Sequence, residues 1–341
     1  MTCGYQRECV PAQIDWLRTR RKGVMSDPRN LARPGAQPPV SAESEWDRFV
    51  TPDSPLGSAL AEDHKRLAEI GTERFKKPSS TRIIAIANQK GGVGKTTSAV
   101  NLAAGLAMGG LRVLVIDDDP QGNATTALGV ENREHLPTLY DVLMGRQSML
   151  SIVRPTQALP NLYVVPANIN LSLVDVELSD EKDRRYRLRD SLNECLSELR
   201  EHDKPIDYVI IDCPPSMSLL PINALIAANE VLIPVQTEYY ALEGLSQLLR
   251  TIDAAKSADN PGLEISTILL TMVSKSTNLS AEVAQNVREY FPEQTLRTEI
   301  PRSVRLAESP SYGETVITYD PRSTGAIAYR AAAHELAERA N

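Results

Sequence analysis

From Arg82 onward, short and uniformly apolar runs alternate with longer stretches whose apolar residues recur at helical spacing. The runs Ile83–Ala87, Val113–Ile116, Leu162–Val165, Tyr208–Ile211, Val231–Val235 and Ile265–Leu270 are rich in β-branched residues and predict strands. The stretches Thr96–Met108, Tyr186–Arg200, Ala241–Ala255, Ala281–Tyr290 and Thr324–Arg339 predict helices. A strand that is apolar at every position must be buried on both faces. Strand–helix alternation therefore predicts an α/β fold, a mostly parallel sheet with helices on both faces. Ligands of such sheets collect at the carboxyl ends of the strands. No internal repeat is visible.

Residues 1–80 have a different texture. Asp27–Pro39 and Val50–Pro55 are rich in proline and poor in large apolar residues, which leaves too little surface to bury against the entropy of ordering. The expectation is a disordered N-terminal arm over 1–80 followed by a single domain over 81–341. One short helix is expected from Leu56 to Phe75, carried by Leu60, Leu67 and Ile70. The cluster Arg18, Arg20, Arg21 and Lys22 reads as a solvated charge run, with contact to nucleic acid as the alternative.

Composition narrows the class further. A chain of 341 residues, 42% hydrophobic and 24% charged, can build one large α/β domain with an appendage. No apolar run approaches the roughly 18–20 residues of a membrane span, and the start has no signal-peptide pattern. The four cysteines show no CxxC spacing, so a reduced, cytoplasmic protein without a disulfide framework is expected. A net charge of −7 argues against nucleic-acid binding over the whole surface and leaves room for a local basic patch.

The segment Asn88–Thr97 (NQKGGVGKTT) follows a predicted strand and opens a predicted helix. Glycines let backbone amides crowd around phosphate oxygens, and the helix N-terminus adds partial positive charge. In that setting Lys95 would reach the β- and γ-phosphates, and the Thr96 hydroxyl would ligate Mg²⁺. The general pattern G-x-x-x-x-G-K-[ST] is broken at its first position, where Gln89 stands, and Lys90 adds a second lysine. The plain alternative is a glycine-rich turn between strand and helix. Two apolar runs also end in carboxylates, at Asp117-Asp118-Asp119 and at Asp212. Alone, each aspartate would suit a helix cap or a turn. Beside a phosphate loop, a strand-end carboxylate holds the Mg²⁺ shell or the attacking water.

These residues carry a resemblance. Lys90–Thr97 resembles the deviant Walker A motif of the ParA/MinD ATPases. Asp119–Thr125 (DPQGNAT), Asp212–Pro215 (DCPP), Glu238–Gln247 (EYYALEGLSQ), Ile300–Leu306 (IPRSVRL), Pro310–Gly313 (PSYG) and Tyr319–Pro321 (YDP) look like the chromosomal ParA/Soj branch. The likeness runs from about Thr81 to the C-terminus and leaves 1–80 outside.

It implies a P-loop NTPase that binds ATP and Mg²⁺ and hydrolyses ATP slowly. Gly91, Gly92, Val93, Gly94, Lys95, Thr96 and Thr97 would hold the phosphates, with Thr97 at the α-phosphate and Met272 and Pro301 also beside the nucleotide. Lys90 would be the signature lysine that reaches across a dimer to the partner's nucleotide. Asp119 would orient the attacking water, Asp212 would hold Mg²⁺ through its water shell, and Asp117 would support them. The resemblance further implies an ATP-dependent homodimer, DNA binding without sequence preference, and a ParB-type partner that stimulates hydrolysis. The setting would be cytoplasmic and nucleoid-associated, with no membrane.

The match departs from the family at Thr271–Leu279 (TMVSKSTNL), where Ser276 stands at the position of a DNA-binding arginine. Lys275 beside it, with Arg302 and Arg305, would supply the DNA contacts; solvated charges or salt-bridge partners are the alternative for the two arginines. Weaker DNA binding than is usual for the family is expected. A MinD-like membrane ATPase needs a basic amphipathic C-terminal helix, whereas Ala326–Asn341 is alanine-rich. An iron-sulfur relative needs suitably placed cysteines, and Cys195 and Cys213 read as core. A nucleotide-gated scaffold with negligible turnover is the remaining alternative, opposed by the presence of both Lys90 and Asp119. A related tyrosine kinase would need a tyrosine-rich tail, whereas Tyr312, Tyr319 and Tyr329 are spread out.

Overall fold

Each apolar run becomes a strand, within one residue of its expected ends, in the computed structural model. The structure describes residues 74–339 except Asn132, Glu134, Met217, Tyr239, Tyr240, Lys275 and Ser276. The proline-rich segments, the basic cluster and nearly all of the helix expected over 56–75 lie outside the described residues.

The strands are β1 (Arg82–Ile86), β2 (Val113–Asp117), β3 (Arg154–Pro155), β4 (Leu162–Val165), β5 (Tyr208–Asp212), β6 (Glu230–Gln236) and β7 (Glu264–Thr271). They form a sheet in the order β3-β4-β2-β5-β1-β6-β7. Every pairing is parallel except that of β3 with β4, a two-residue edge too short to leave a periodic signal in the sequence.

The longer helices are α1 (Lys95–Met108), α2 (Arg187–Glu201), α3 (Leu219–Ala227), α4 (Ala241–Ala258), α5 (Asn278–Tyr290) and α6 (Thr324–Glu338). Helix α3 was not expected. Its sequence LLPINALIA is apolar on nearly every side, so it carries no amphipathic stripe, and Pro221 interrupts the reading. Pro221 sits in the first turn, where its missing amide has no intrahelical partner to lose.

Strand alternation decides what each face of the sheet touches. Ile84, Ile86, Val113, Val115, Tyr208 and Ile210 join one buried cluster with α1 and α6. Helices α1 and α6 approach closely because Gly105 has no side chain: a Cβ there would lie 2.6 Å from the Ala333 Cβ. Across the same seam the Ser98 and Tyr329 hydroxyls meet at 3.1 Å. The C-terminal helix thus places Ala326, Ala328, Ala332, Ala333 and Leu336 in the core. Among the described residues no helix is long and apolar enough to cross a membrane. Packing also reaches back before the first strand. Phe75 is buried, its amide donates to the Gly109 carbonyl at 2.9 Å, and its ring meets His334 edge-on at 5.1 Å.

Register, more than pairing, positions the chemistry. Asp212 lies opposite Ile86 on one side and opposite Asp117 on the other. The three central strands therefore end level, with two carboxylates beside the last strand residue before the glycine loop.

Candidate functional site

The loop between β1 and α1 can take its shape only with glycine at two positions. Gly92 has φ 76° and Gly94 has φ 89°, in the left-handed region that side chains with a Cβ disfavour. Gly94 also caps α1 without a side-chain cap, so the first-turn amides point outward with no intrahelical acceptor. A Cβ added at Gly91 or Gly92 would meet nothing within 4 Å. The loop is open around these glycines, as a loop that admits an anion must be.

The neighbouring strands tie the loop in place. Asn88 donates its side-chain amide to the Pro234 carbonyl at 2.8 Å and accepts the Lys90 amide at 3.0 Å. The Thr271 hydroxyl donates to the Val93 carbonyl at 2.9 Å. Lys95 is buried, and its ammonium donates to the Lys90 carbonyl at 3.2 Å. Burial lowers the Lys95 pKa, opposed by the charges of Asp212, Cys213 and Asp119.

Four aspartates crowd the strand ends. Asp117 accepts the Thr125 amide at 2.7 Å and the Thr125 hydroxyl at 2.6 Å on one oxygen, and the Asp119 amide at 3.3 Å on the other. Burial still pushes its carboxyl up to about 6, with those hydrogen bonds opposing the rise. Asp117 thereby anchors the turn that carries Asp119. Asp119 itself accepts the Gln121 amide at 2.9 Å, which folds the loop back toward the short helix Asn123–Ala127. Asp212 is fully buried, and apart from the Thr96 hydroxyl beside it no group hydrogen-bonds its oxygens. Burial drives its pKa well above the carboxylate range; Asp117 and Asp119 add to the rise, and the Thr96 hydroxyl and Lys95 oppose it.

A fully buried carboxylate with so little hydrogen bonding is costly, and it marks a place suited to a cation. Thr96 and Asp212 are the residues here that fit Mg²⁺. Among the described residues no three His, Cys, Asp or Glu side chains converge as a metal cage. That donor set suits an ion that takes most of its ligands from phosphates and water.

Asp118 was given no role from the sequence, yet it is the least comfortable residue of the group. It is fully buried, neither oxygen has a partner, and burial raises its pKa well above the ordinary range, with Asp117 and Asp119 adding to the rise. Its one sequence signal was the run of three consecutive carboxylates. The folded carboxyl keeps its proton at pH values where the unfolded one has lost it, so it erodes stability as pH rises above about 3.9. Asp118→Asn keeps the shape and cannot ionise. Its unfolding midpoint should exceed that of the nucleotide-free wild type near pH 8, with the gap closing near pH 4. Denaturant titrations at the two pH values measure this, and an unchanged gap would remove the assignment.

Farther along the same end of the sheet, Met272 has φ 52°, a strained conformation for a side chain of its size. Val273 bridges Pro301, and the Val273 amide donates to the Ile300 carbonyl at 3.0 Å. Met272 and Pro301 are therefore brought together beside Thr271, which holds the glycine loop. Lys275 lies outside the described residues. Arg302 is exposed, 3.9 Å from Glu238, and Arg305 is engaged by Glu308 at 3.0 Å and Asp320 at 3.3 Å. Lys90 donates to Glu238 at 3.1 Å. Cys195 and Cys213 are buried free thiols, and burial pushes Cys195 up to about 12.

A family model described as an AAA domain matches residues 81–265. The chain is 47% identical to the chromosome partitioning protein ParA of Caulobacter vibrioides over 258 residues, 76% of this chain and 94% of that protein. It is 48% identical to the sporulation initiation inhibitor protein Soj of Bacillus subtilis over 256 residues, 75% of this chain and 98% of that one. Among solved structures it is similar to cobyrinic acid a,c-diamide synthase from Mycobacterium smegmatis with bound ADP and magnesium. The TM-score there is 0.63 at 34% identity, over 74% of this chain and 92% of that chain. It is also similar to the cell division ATPase MinD of Pyrococcus furiosus, with a TM-score of 0.61 at 27% identity, over 75% of this chain and 98% of that chain.

Proposed function

The chain belongs to the ParA/Soj family of chromosome-partitioning ATPases, and from that premise we propose that its glycine loop binds ATP with Mg²⁺, that ATP joins two copies, and that the pair binds DNA without sequence preference. The observation that carries the reading is the open glycine loop set beside Asp212, a fully buried carboxylate faced by the Thr96 hydroxyl.

In this reading the amides of Gly91–Gly94 and of the first turn of α1 surround the phosphates, Lys95 exchanges the Lys90 carbonyl for the β- and γ-phosphates, and Thr97 meets the α-phosphate. Met272 and Pro301 flank the nucleotide's far end. The Thr96 hydroxyl and Asp212 would hold Mg²⁺, which would supply positive charge beside the phosphates. Asp119 orients the water that attacks the γ-phosphorus, and Asp117 keeps Asp119 in place. Lys90 crosses to the second copy's nucleotide, where a cation stabilises the charge that develops as the γ-phosphoryl leaves. A ParB-type partner would then speed hydrolysis and release the DNA, in the cytoplasm at the nucleoid.

Arg302, Arg305 and Lys275 are the proposed DNA contacts. The two arginines are exposed but already face carboxylates, so part of their attraction to DNA phosphate is offset before contact. Binding to non-specific duplex should need ATP and weaken with salt. Arg302→Ala and Arg305→Ala should each flatten the plot of log K against log salt by about one unit. A salt series in ATP, in ADP and without nucleotide measures both effects. Equal binding in all three conditions would overturn the nucleotide-dependent reading.

A further inference from the structure

Glu238 follows β6 by two residues, and its carboxylate serves cations from two distant segments. One oxygen accepts the Lys90 ammonium at 3.1 Å. The other accepts the Gln236 side-chain amide at 2.5 Å and stands 3.9 Å from the Arg302 guanidinium. The backbone adds a brace, because the Glu238 amide donates to the Gln236 carbonyl at 2.8 Å. A carboxylate held in this way offers lysine and arginine what a phosphate offers them, a pair of adjacent charged oxygens in a fixed position. Lys90 and Arg302 are also two residues whose proposed work is to meet phosphates outside their own subunit.

We propose that Glu238 is an internal stand-in for phosphate: it occupies Lys90 and Arg302 within a single subunit and releases them when the subunit pairs over nucleotide and meets DNA. The inference rests on the reading of Lys90 and Arg302 given above. Glu238 touches no substrate in this role and is a positioning residue. It holds Lys90 away from the glycine loop of its own subunit and lowers the attraction of Arg302 for DNA until a stronger anion arrives. Both contacts are partly exposed, which makes each weak. A weak hold suits a reversible device, since a buried pair of the same groups would resist release.

Glu238→Gln removes the charge and keeps a side chain of the same shape beside Gln236. With the full chain and a non-specific duplex at low salt, this variant should bind DNA about two- to fivefold more tightly than wild type in the absence of nucleotide. In ATP, where the cations have already left Glu238, the two proteins should bind alike. The ratio of ATP-bound to nucleotide-free affinity therefore falls by the same factor. Glu238→Asp, which restores the charge on a shorter arm, should recover part of the wild-type ratio. Adding Arg302→Gln to Glu238→Gln should abolish the gain, whereas a mere loss of surface negative charge would leave it. A gain that survives Arg302→Gln would overturn the inference. An unchanged ratio in Glu238→Gln beside an intact wild-type ratio would overturn it alone; a wild type with no ATP-dependent binding would remove the underlying reading as well.

Discussion

Replacing Lys95 with alanine is expected to abolish ATP binding. Its ammonium is the cation at the mouth of α1, buried, and hydrogen-bonded to the Lys90 carbonyl. That hydrogen bond to a neutral acceptor is readily exchanged for charged phosphate oxygens, which form contacts roughly twice as strong. The burial that lowers the Lys95 pKa also means that little water screens it, so its attraction to phosphate acts in a low local dielectric. Losing it should weaken ATP affinity by at least about a hundredfold, or ~2.7 kcal/mol. A second effect works in the same direction. Lys95 opposes the upward pKa shift of Asp212, so removing it makes that carboxylate harder to ionise and less able to serve Mg²⁺. Titration with a fluorescent ATP analogue in the presence of Mg²⁺ measures the loss. Affinity within a few-fold of wild type would end the assignment of Lys90–Thr97 as the phosphate loop.

Asp119→Ala should leave ATP binding and pairing intact while turnover falls by roughly 10²-fold or more, the scale at which a positioned acid or base contributes. The geometry calls for a control. Asp119 also accepts the Gln121 amide at 2.9 Å, so alanine removes a turn contact together with the charge. Asp119→Asn retains that acceptor and lacks only the negative charge. If the carboxylate orients the attacking water, both variants should be slow. Recovery of turnover in Asp119→Asn would assign the defect to the loop, and wild-type turnover in Asp119→Ala would favour a nucleotide-gated scaffold. Phosphate release under single-turnover conditions separates these outcomes from any change in ATP affinity.

The two experiments probe different kinds of residue. Lys95 is fixed by its place at the start of a helix, whereas Asp119 is fixed by a chain of contacts that begins at Asp117 and passes through Thr125 to the Ala167 amide at 3.0 Å. The first placement follows from local sequence. The second needs β2, the segment after it and the end of β4 to be in register.

That difference runs through the whole molecule. The strands, the longer helices other than α3 and the glycine loop were legible in the chain because each rests on local physics. Continuous β-branched runs demand burial on two faces, amphipathic spacing demands one buried stripe, and Gly92 and Gly94 supply backbone angles that other residues avoid. The candidacy of Lys95 and Thr96 at a helix start, and of aspartates at two strand ends, was likewise written in the chain, while the separate roles of Asp119 and Asp212 came only from the family resemblance. Helix α3 escaped because an element apolar nearly all round leaves no period to detect.

What the chain could not announce is how residues far apart in sequence meet. The level ends of β1, β2 and β5 bring Asp117 and Asp212 together, and neither run encodes its neighbour. Asp118 looked like its neighbours in sequence, and only folding left both its oxygens buried without partners. Arg302 and Arg305 read equally as DNA contacts or as solvated and salt-bridged charges, and only the fold set particular carboxylates beside them. Glu238 lies 148 positions from Lys90, and their contact exists because β6 pairs with β1 and delivers its end to the glycine loop. Charge pairing depends on separation in space, which falls to a few ångströms only after the hydrophobic strands have stacked; the sequence determined the elements and their chemistry, and the tertiary packing decided which charges face each other.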